Sequence, residues 1–278
     1  PFLIDYNEND YPIFSIPAAK NDKKRMYRAE QISAQIFSEV IRVVKNQIGI
    51  EPDECVITVP ACFNSLQRQL TKDAAEIAGL KCIQLINEPT AAAVAFIDQS
   101  GFQKGTILVF DFGGGTLEAS IVEVDGCSYT VKASSSLCIG GEDIDAIVVE
   151  YMVSRFMKKN PGKDPRTNKG SMALLKQKCE EAKCQSLHLM KFEIVIPSFY
   201  EGIDLDERFS RARFEFICDD ILSRVYEPIE EVLEKAELTT DDIDEVFLIG
   251  GSSRIPIVVH EVEVFFDREI RSHSFLPC

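Results

Sequence analysis

Asp111 stands one residue before three consecutive glycines and a threonine in the string "FDFGGGTLEAS". A turn there exposes the main-chain N–H groups of Gly113, Gly114, Gly115 and Thr116, and such a turn can form an anion-binding concavity. Glycine permits both unusual dihedrals and a close backbone approach. Asp111, at the strand end, would face a metal-bound or attacking water rather than a phosphate. A ligand-free glycine hairpin is the commoner cause of such a string. Two further glycine pairs shift the balance: Gly140 and Gly141 in "LCIGGEDID", and Gly250 and Gly251 in "FLIGGSSRIP". At the last pair a flat nucleoside can press against bare backbone, with Ser252 as the cap of the helix that follows. Three glycine endings after strands point to a nucleotide cleft.

The elements around these turns decide which kind of cleft it is. Dinucleotide-binding and Walker loops run strand, glycine loop, helix. Here "TLEASIVEV" alternates and is β-branched, so a second strand follows "TILVF" and both fingerprints fail. A further strand, "SYTVKASSS", completes an antiparallel meander. Upstream, Ile32, Ile36, Val40, Val44 and Ile48 recur at helical spacing before Gly49. "ECVITVP" reads as a strand, "NSLQRQLTKDAAEIAGL" as a helix with an Asn64–Gln67 capping box and Gly79 as its stop. "KCIQLI" is a strand leading into "NEPT" and an alanine-rich helix. This β-α-β-α order argues for an α/β layer. Residues 1–28 show strand-like pieces and a lysine-rich turn at 21–25, and residues 101–105 read as a hinge or linker. Downstream, a helix follows "IGGED", a long charged helix covers 171–187, "FEIVIPSFYEGIDL" is a hairpin, and a helical stretch breaks near Pro228. "DEVFLIGGSSRIPIV" is strand, double glycine, helix.

Composition narrows the classes. The 278 residues carry a formal net charge of −15 with no basic cluster, which argues against a nucleic-acid partner. No apolar run is long enough to span a bilayer, and no membrane association is expected. The nine cysteines include no Cys-x-x-Cys pair, which suggests reduced, mostly structural thiols in a cytoplasmic setting. His188, His260 and His273 are scattered, so a zinc site is not expected.

Six strings in order, "VITVPACFNSLQRQLTKDAAEIAGL", "INEPTAAAVAF", "FDFGGGTLEASIVEVDG", "IGGEDID", "YEGIDLDERFSRARFE" and "IGGSSRIP", resemble the nucleotide-binding domain of the 70-kDa heat-shock protein chaperone family. The likeness runs from residue 1 to about 266. It implies an α/β chain of the actin-like ATPase fold, with two ribonuclease H-like lobes around a nucleotide cleft. The lobes divide into 1–28 and 29–99 for an incomplete first lobe, 100–139 with 209–278 for the inner part of the second, and 140–208 for its outer part. The implied ligands are ATP or ADP with Mg2+, and the implied partners are J-domain co-chaperones and nucleotide-exchange factors. Unfolded polypeptides would be met only through a domain not contained in these residues.

Carried over by position, residues 113–116 are similar to a phosphate loop, with Thr116 near the terminal phosphate. Asp111 and Glu88 resemble carboxylates acting on magnesium through water. Gly140 and Gly141 line the sugar side, Glu180 and Lys183 face ribose and adenine, and Gly250, Gly251, Ser252 and Arg254 form the adenosine turn. Pro60 and Arg68 match positions that couple nucleotide state to the rest of a chaperone. Simpler explanations exist for each: Glu180 and Lys183 as an exposed ion pair, Glu88 in a surface turn, Arg68 as a solvated helix charge.

The departures are specific. No first phosphate loop or catalytic lysine is recognisable, since Lys20 and Lys23 lie in the wrong context. Cys184 stands where the family has an arginine, Leu187 where it has a small hydroxyl residue, Cys62 for a tyrosine, and Glu118 for an aspartate. Impaired hydrolysis and a marginally stable first lobe with bare strand edges are therefore expected. A non-catalytic nucleotide-binding or co-chaperone interaction module is the alternative reading, and a sugar kinase-like enzyme the least supported one.

Overall fold

The computed structural model describes residues 3–8, 11–17 and 24–270. Lys20, Lys23, part of the lysine-rich turn and the tail 271–278 lie outside them. The chain divides into two compact units, Pro1–Ala91 and Ala92–Cys278.

In the first unit, β1 (Leu3–Tyr6), β2 (Pro12–Pro17) and β3 (Lys24–Arg28) form an antiparallel sheet. Lys24 and Arg25 are thus strand residues rather than part of a turn. Helix α1 (Ala29–Ile48) ends where Gly49 takes a left-handed φ of 75°. Strand β4 (Glu54–Val59) passes through α2 (Ser65–Ile77) to β5 (Lys81–Asn87), and the two strands pair in parallel. The capping box starts α2: Asn64 Oδ1 accepts from the Gln67 amide, and Gln67 Oε1 accepts from the Asn64 amide. The core of this unit is thin. Its buried apolar residues, Ala34, Val59, Ala74, Ala75 and Leu80, are mostly small, while Ile36, Val40, Val56, Ile77 and Ile83 are exposed. Among the described residues, little apolar side-chain area is therefore fully buried in this unit.

Helix α3 (Glu88–Ser100) leads to the sheet of the second unit, ordered β11 (Glu245–Ile249), β6 (Lys104–Phe112), β7 (Leu117–Asp125), β8 (Ser128–Leu137). Strand β11 runs parallel to β6 and the other pairs are antiparallel. Strand β6 is apolar on both faces because both are covered. Leu108, Phe110 and Phe112 enter the larger core with Ile144, Met152, Leu175 and Val258, while Ile107 and Val109 join Phe96 and Phe247 on the other side. Alternation along the strand then puts Asp111 on the face of Ile107 and Val109.

One expectation for this region needs correction, and two are met with shifted bounds. Residues 101–105 are not a simple hinge: β6 starts at Lys104, and Gly105 (φ 141°) packs so closely that an added Cβ would lie 2.3 Å from Asp244 Oδ2. The charged helix is α5 (Lys169–Ser186), preceded by α4 (Gly141–Lys159). The helical stretch breaks at Cys218 and again after Leu222, giving α6 (Arg211–Ile217), α7 (Asp219–Leu222) and α8 (Glu227–Ala236). Pro228 lies in the first turn of α8, where its missing N–H costs nothing. The hairpin β9 (Lys191–Tyr200) and β10 (Ile203–Ser210) and the final α9 (Pro256–Phe266) match their expected places. Among the described residues no helix is long and apolar enough to cross a membrane.

Candidate functional site

The hairpin β6–β7 pairs Phe112 with Leu117, which leaves 113–116 as its turn. The Gly113 amide donates to the Thr116 carbonyl at 2.9 Å and closes it. Gly114, Gly115 and Thr116 are exposed, and a Cβ added at Gly114 or Gly115 would meet nothing within 4 Å. None of the three glycines of this turn has positive φ. Their backbone is one that any residue adopts, so these glycines leave the turn open rather than permit its dihedrals.

The other two glycine pairs meet this turn. An α-helix opens with amides that have no partner inside the helix. At the start of α4 the Gly141 amide donates to the Gly113 carbonyl (3.0 Å) and the Glu142 amide to the Gly114 carbonyl (2.8 Å), so the hairpin turn itself caps α4. The Asp143 carboxylate accepts from the Gly140 amide at 2.8 Å and completes the cap. Gly140 has extended backbone (φ −158°), yet only glycine fits: a Cβ would lie 2.2 Å from the Gly114 carbonyl oxygen. The Gly141 amide and the α4 N-terminus are thus committed within the protein.

At the end of β11, Gly250 has φ 85°, and a Cβ there would sit 2.4 Å from the Phe112 carbonyl oxygen and 2.6 Å from Asp111 Oδ1. Both conformation and contact demand glycine here. Ser252 is not a helix cap, as the sequence suggested. The short 3₁₀ turn Ser252–Arg254 has no side-chain cap; the buried Ser252 hydroxyl donates to the Gly113 carbonyl at 3.0 Å. Ser253 donates instead to the Gly250 carbonyl at 2.7 Å. Gly251 is exposed beside open space, and Arg254 is half-buried.

Asp111 and Glu118 are directly opposed across β6–β7. Burial pushes the Asp111 carboxyl up, and burial together with Asp111 pushes Glu118 up. Two opposed carboxylates of this kind suit a hydrated cation, which would relieve both. No cluster of three or more metal-binding side chains occurs among the described residues. Lys183 is nearly buried and pairs with the buried Asp145 at 2.7 Å while donating to the Gly141 carbonyl at 2.9 Å. It is no exposed ion pair with Glu180, which is solvent-facing. Burial pushes the Asp145 carboxyl up, against the lowering by Lys183. Cys184 is exposed, and Leu187 packs on the main core.

In the first unit, Glu88 is the first residue of α3 and half-buried, not part of a loose surface turn. Arg68 is no solvated charge. Its guanidinium donates to the carbonyls of Phe63 (3.0 Å) and Ala61 (3.3 Å) and to Asn87 Oδ1 (2.9 Å), clasping the turn after Pro60 to the residue before Glu88. Asp145 and Asn87 were missed by sequence reasoning. For Asp145 a signal existed: it lies one turn into a helix and its Cα–Cβ bond tilts back toward the glycine pair.

A mixed sheet with helices on both faces, whose strands end in glycine turns docked on one another, defines an α/β protein with a main-chain cradle. Residues 1–274 match the family model described as Hsp70 protein. The chain belongs to the Hsp70 family, and the match continues past residue 266, where the resemblance of the sequence strings stops.

Proposed function

We propose that this chain is the ATP-binding part of an Hsp70-type molecular chaperone that couples ATP binding and hydrolysis to protein folding. One observation carries the reading: the Gly113 and Gly114 carbonyls accept from the Gly141 and Glu142 amides, and the Gly113 carbonyl also accepts from the Ser252 hydroxyl, so the three glycine turns meet. In this reading the chain adopts actin-like lobes around a cleft, divided as 1–28, 29–99, 100–139 with 209–278, and 140–208. Gly113, Gly114, Gly115 and Thr116 take the phosphates: Gly113 closes the turn through its amide, and the exposed residues 114–116 suit an anion. Gly250, Gly251, Ser252 and Arg254 take the adenosine, Gly140 and Gly141 lie at the sugar, and Glu180 and Lys183 border the ribose and adenine. Lys183 acts by holding Gly141. Asp111 and Glu88 would each act on magnesium through water, and that ion would neutralise phosphate charge. Pro60 and Arg68 transmit the nucleotide state. In this reading the partners are J-domain co-chaperones and nucleotide-exchange factors, and the location is cytoplasmic.

Phosphoryl transfer rests on positioning and on neutralising charge. In this reading hydrolysis by these 278 residues is impaired. A second reading, a nucleotide-binding or co-chaperone module without turnover, is favoured by the engagement of the Lys183 ammonium with Asp145 and Gly141.

Calorimetric titration with magnesium-ATP tests the shared claim. Wild type gives a saturable heat and Gly114→Val gives none, although the substitution meets open space in the free protein. Equal binding by both proteins would remove the phosphate assignment. Single-turnover hydrolysis then separates the readings: slow cleavage supports the ATPase, and none supports the module.

A further inference from the structure

Cys55 and Cys82 are the second residues of β4 and β5, and the parallel register sets them directly opposite each other. Neighbouring strands lie about 4.8 Å apart, within the Cα separation of about 4.4–6.8 Å that a disulfide spans. Cys82 Sγ donates to the Gln84 carbonyl at 3.4 Å, and it stands close enough to Cys55 to act on that thiol. The ladder slips immediately afterwards, Val56 pairing with Gln84, so the backbone is irregular beside the pair. Both cysteines are half-buried and so open to small reagents, whereas Cys179 and Cys218 are buried and their thiols pushed up to about 12. The expectation of mostly structural thiols therefore fails: Cys62, Cys127, Cys138 and Cys184 are exposed as well. What distinguishes Cys55 and Cys82 from those is the facing partner.

We propose that Cys55 and Cys82 form a dithiol site that closes into a cross-strand disulfide by exchange with a small-molecule disulfide. A thiolate of one cysteine attacks a sulfur of the reagent, forms a mixed disulfide and expels one thiolate. The second cysteine, as its thiolate, attacks the protein sulfur of that mixed disulfide and expels the other. Two protein thiols are oxidised, one disulfide is reduced to two thiols, and both protons leave to solvent or to the expelled thiolates. Burial and the neighbouring Cys82 push the Cys55 thiol up, so exchange accelerates as pH rises toward the thiol range. The site lies wholly within the unit Pro1–Ala91 and does not depend on the nucleotide assignment.

The test treats the whole chain, carrying Cys62→Ser, with oxidised glutathione at mildly alkaline pH, followed by alkylation, trypsin digestion and mass spectrometry. Removing Cys62 matters because it shares the tryptic peptide 46–68 with Cys55. The expected result is a linked pair of peptides, 46–68 with 82–104, lighter by two hydrogens and separated again by reductant. Phenylarsine oxide, which bridges two facing thiolates, prevents the link when added first. Adding Cys82→Ser leaves a stable glutathione adduct on Cys55, a readout that stands if the variant keeps its far-ultraviolet dichroism. If both cysteines stay alkylatable, or each carries its own glutathione with no linked peptide, the proposal is overturned.

Discussion

Replacing Gly140 by alanine adds one methyl group where the backbone already touches. The new Cβ would lie 2.2 Å from the Gly114 carbonyl oxygen, 2.3 Å from the Gly114 carbonyl carbon and 2.4 Å from the Gly115 amide nitrogen. These are main-chain atoms of a closed hairpin, so no flexible side chain can give way. The turn and the α4 N-terminus must separate, which breaks the Gly141 and Glu142 amide bonds of 3.0 and 2.8 Å. Overpacking costs about 1–3 kcal/mol and each lost bond about 1 kcal/mol, so a loss of about 3–5 kcal/mol is expected. For a unit of this size that lowers the unfolding midpoint by about 6–20 °C. Gly114→Ala is the control. Its Cβ meets nothing within 4 Å and its φ is not positive, so it leaves stability unchanged or raises it by about 0.4–1 kcal/mol. Thermal unfolding followed by far-ultraviolet dichroism and tyrosine fluorescence reads both, since the chain has no tryptophan. A Gly140→Ala midpoint matching that of wild type would refute the docking of these turns.

Lys183→Met leaves Asp145 buried without its cation, and breaking such a pair costs about 3–5 kcal/mol. Urea titration should show that loss, and Asp145→Asn in the same chain should restore most of it; a single variant as stable as wild type would contradict the pairing. Asp111→Asn probes the acidic pair. A carboxyl held above its ordinary pKa contributes stability that is present below the unfolded-state value and lost as pH rises through the folded-state value. The neutral amide removes the penalty carried at pH 7 and eases Glu118, so the variant should melt higher than wild type at neutral pH without nucleotide. The gain should vanish near pH 4, and a variant less stable at pH 7 would count against burial as the cause.

Much of the scaffold was legible because it is local. The Asn64–Gln67 box, the Gly49 stop and the alternation of β6 and β7 each depend on a few neighbouring residues. The grouping of the glycine turns was also legible, since each follows a strand. What sequence could not supply was the division of labour among glycines. Gly140 and Gly250 are required by contacts with residues far along the chain, while Gly113, Gly114 and Gly115 adopt ordinary dihedrals. Ser252 misled for the same reason: a serine before a helix suggests a local cap, but its hydroxyl finds a carbonyl 139 residues away. Arg68 and Lys183 look like surface charges on helices until β5 and α4 bring Asn87 and Asp145 beside them.

Amide hydrogen exchange with and without magnesium-ATP tests the converging cradle most directly. The account predicts that amides in 113–116 and 250–254 gain protection together at one ATP concentration, while the tip of the β9–β10 hairpin does not change. Protection confined to one of those turns, or arising only elsewhere in the chain, would contradict a single nucleotide held where they meet.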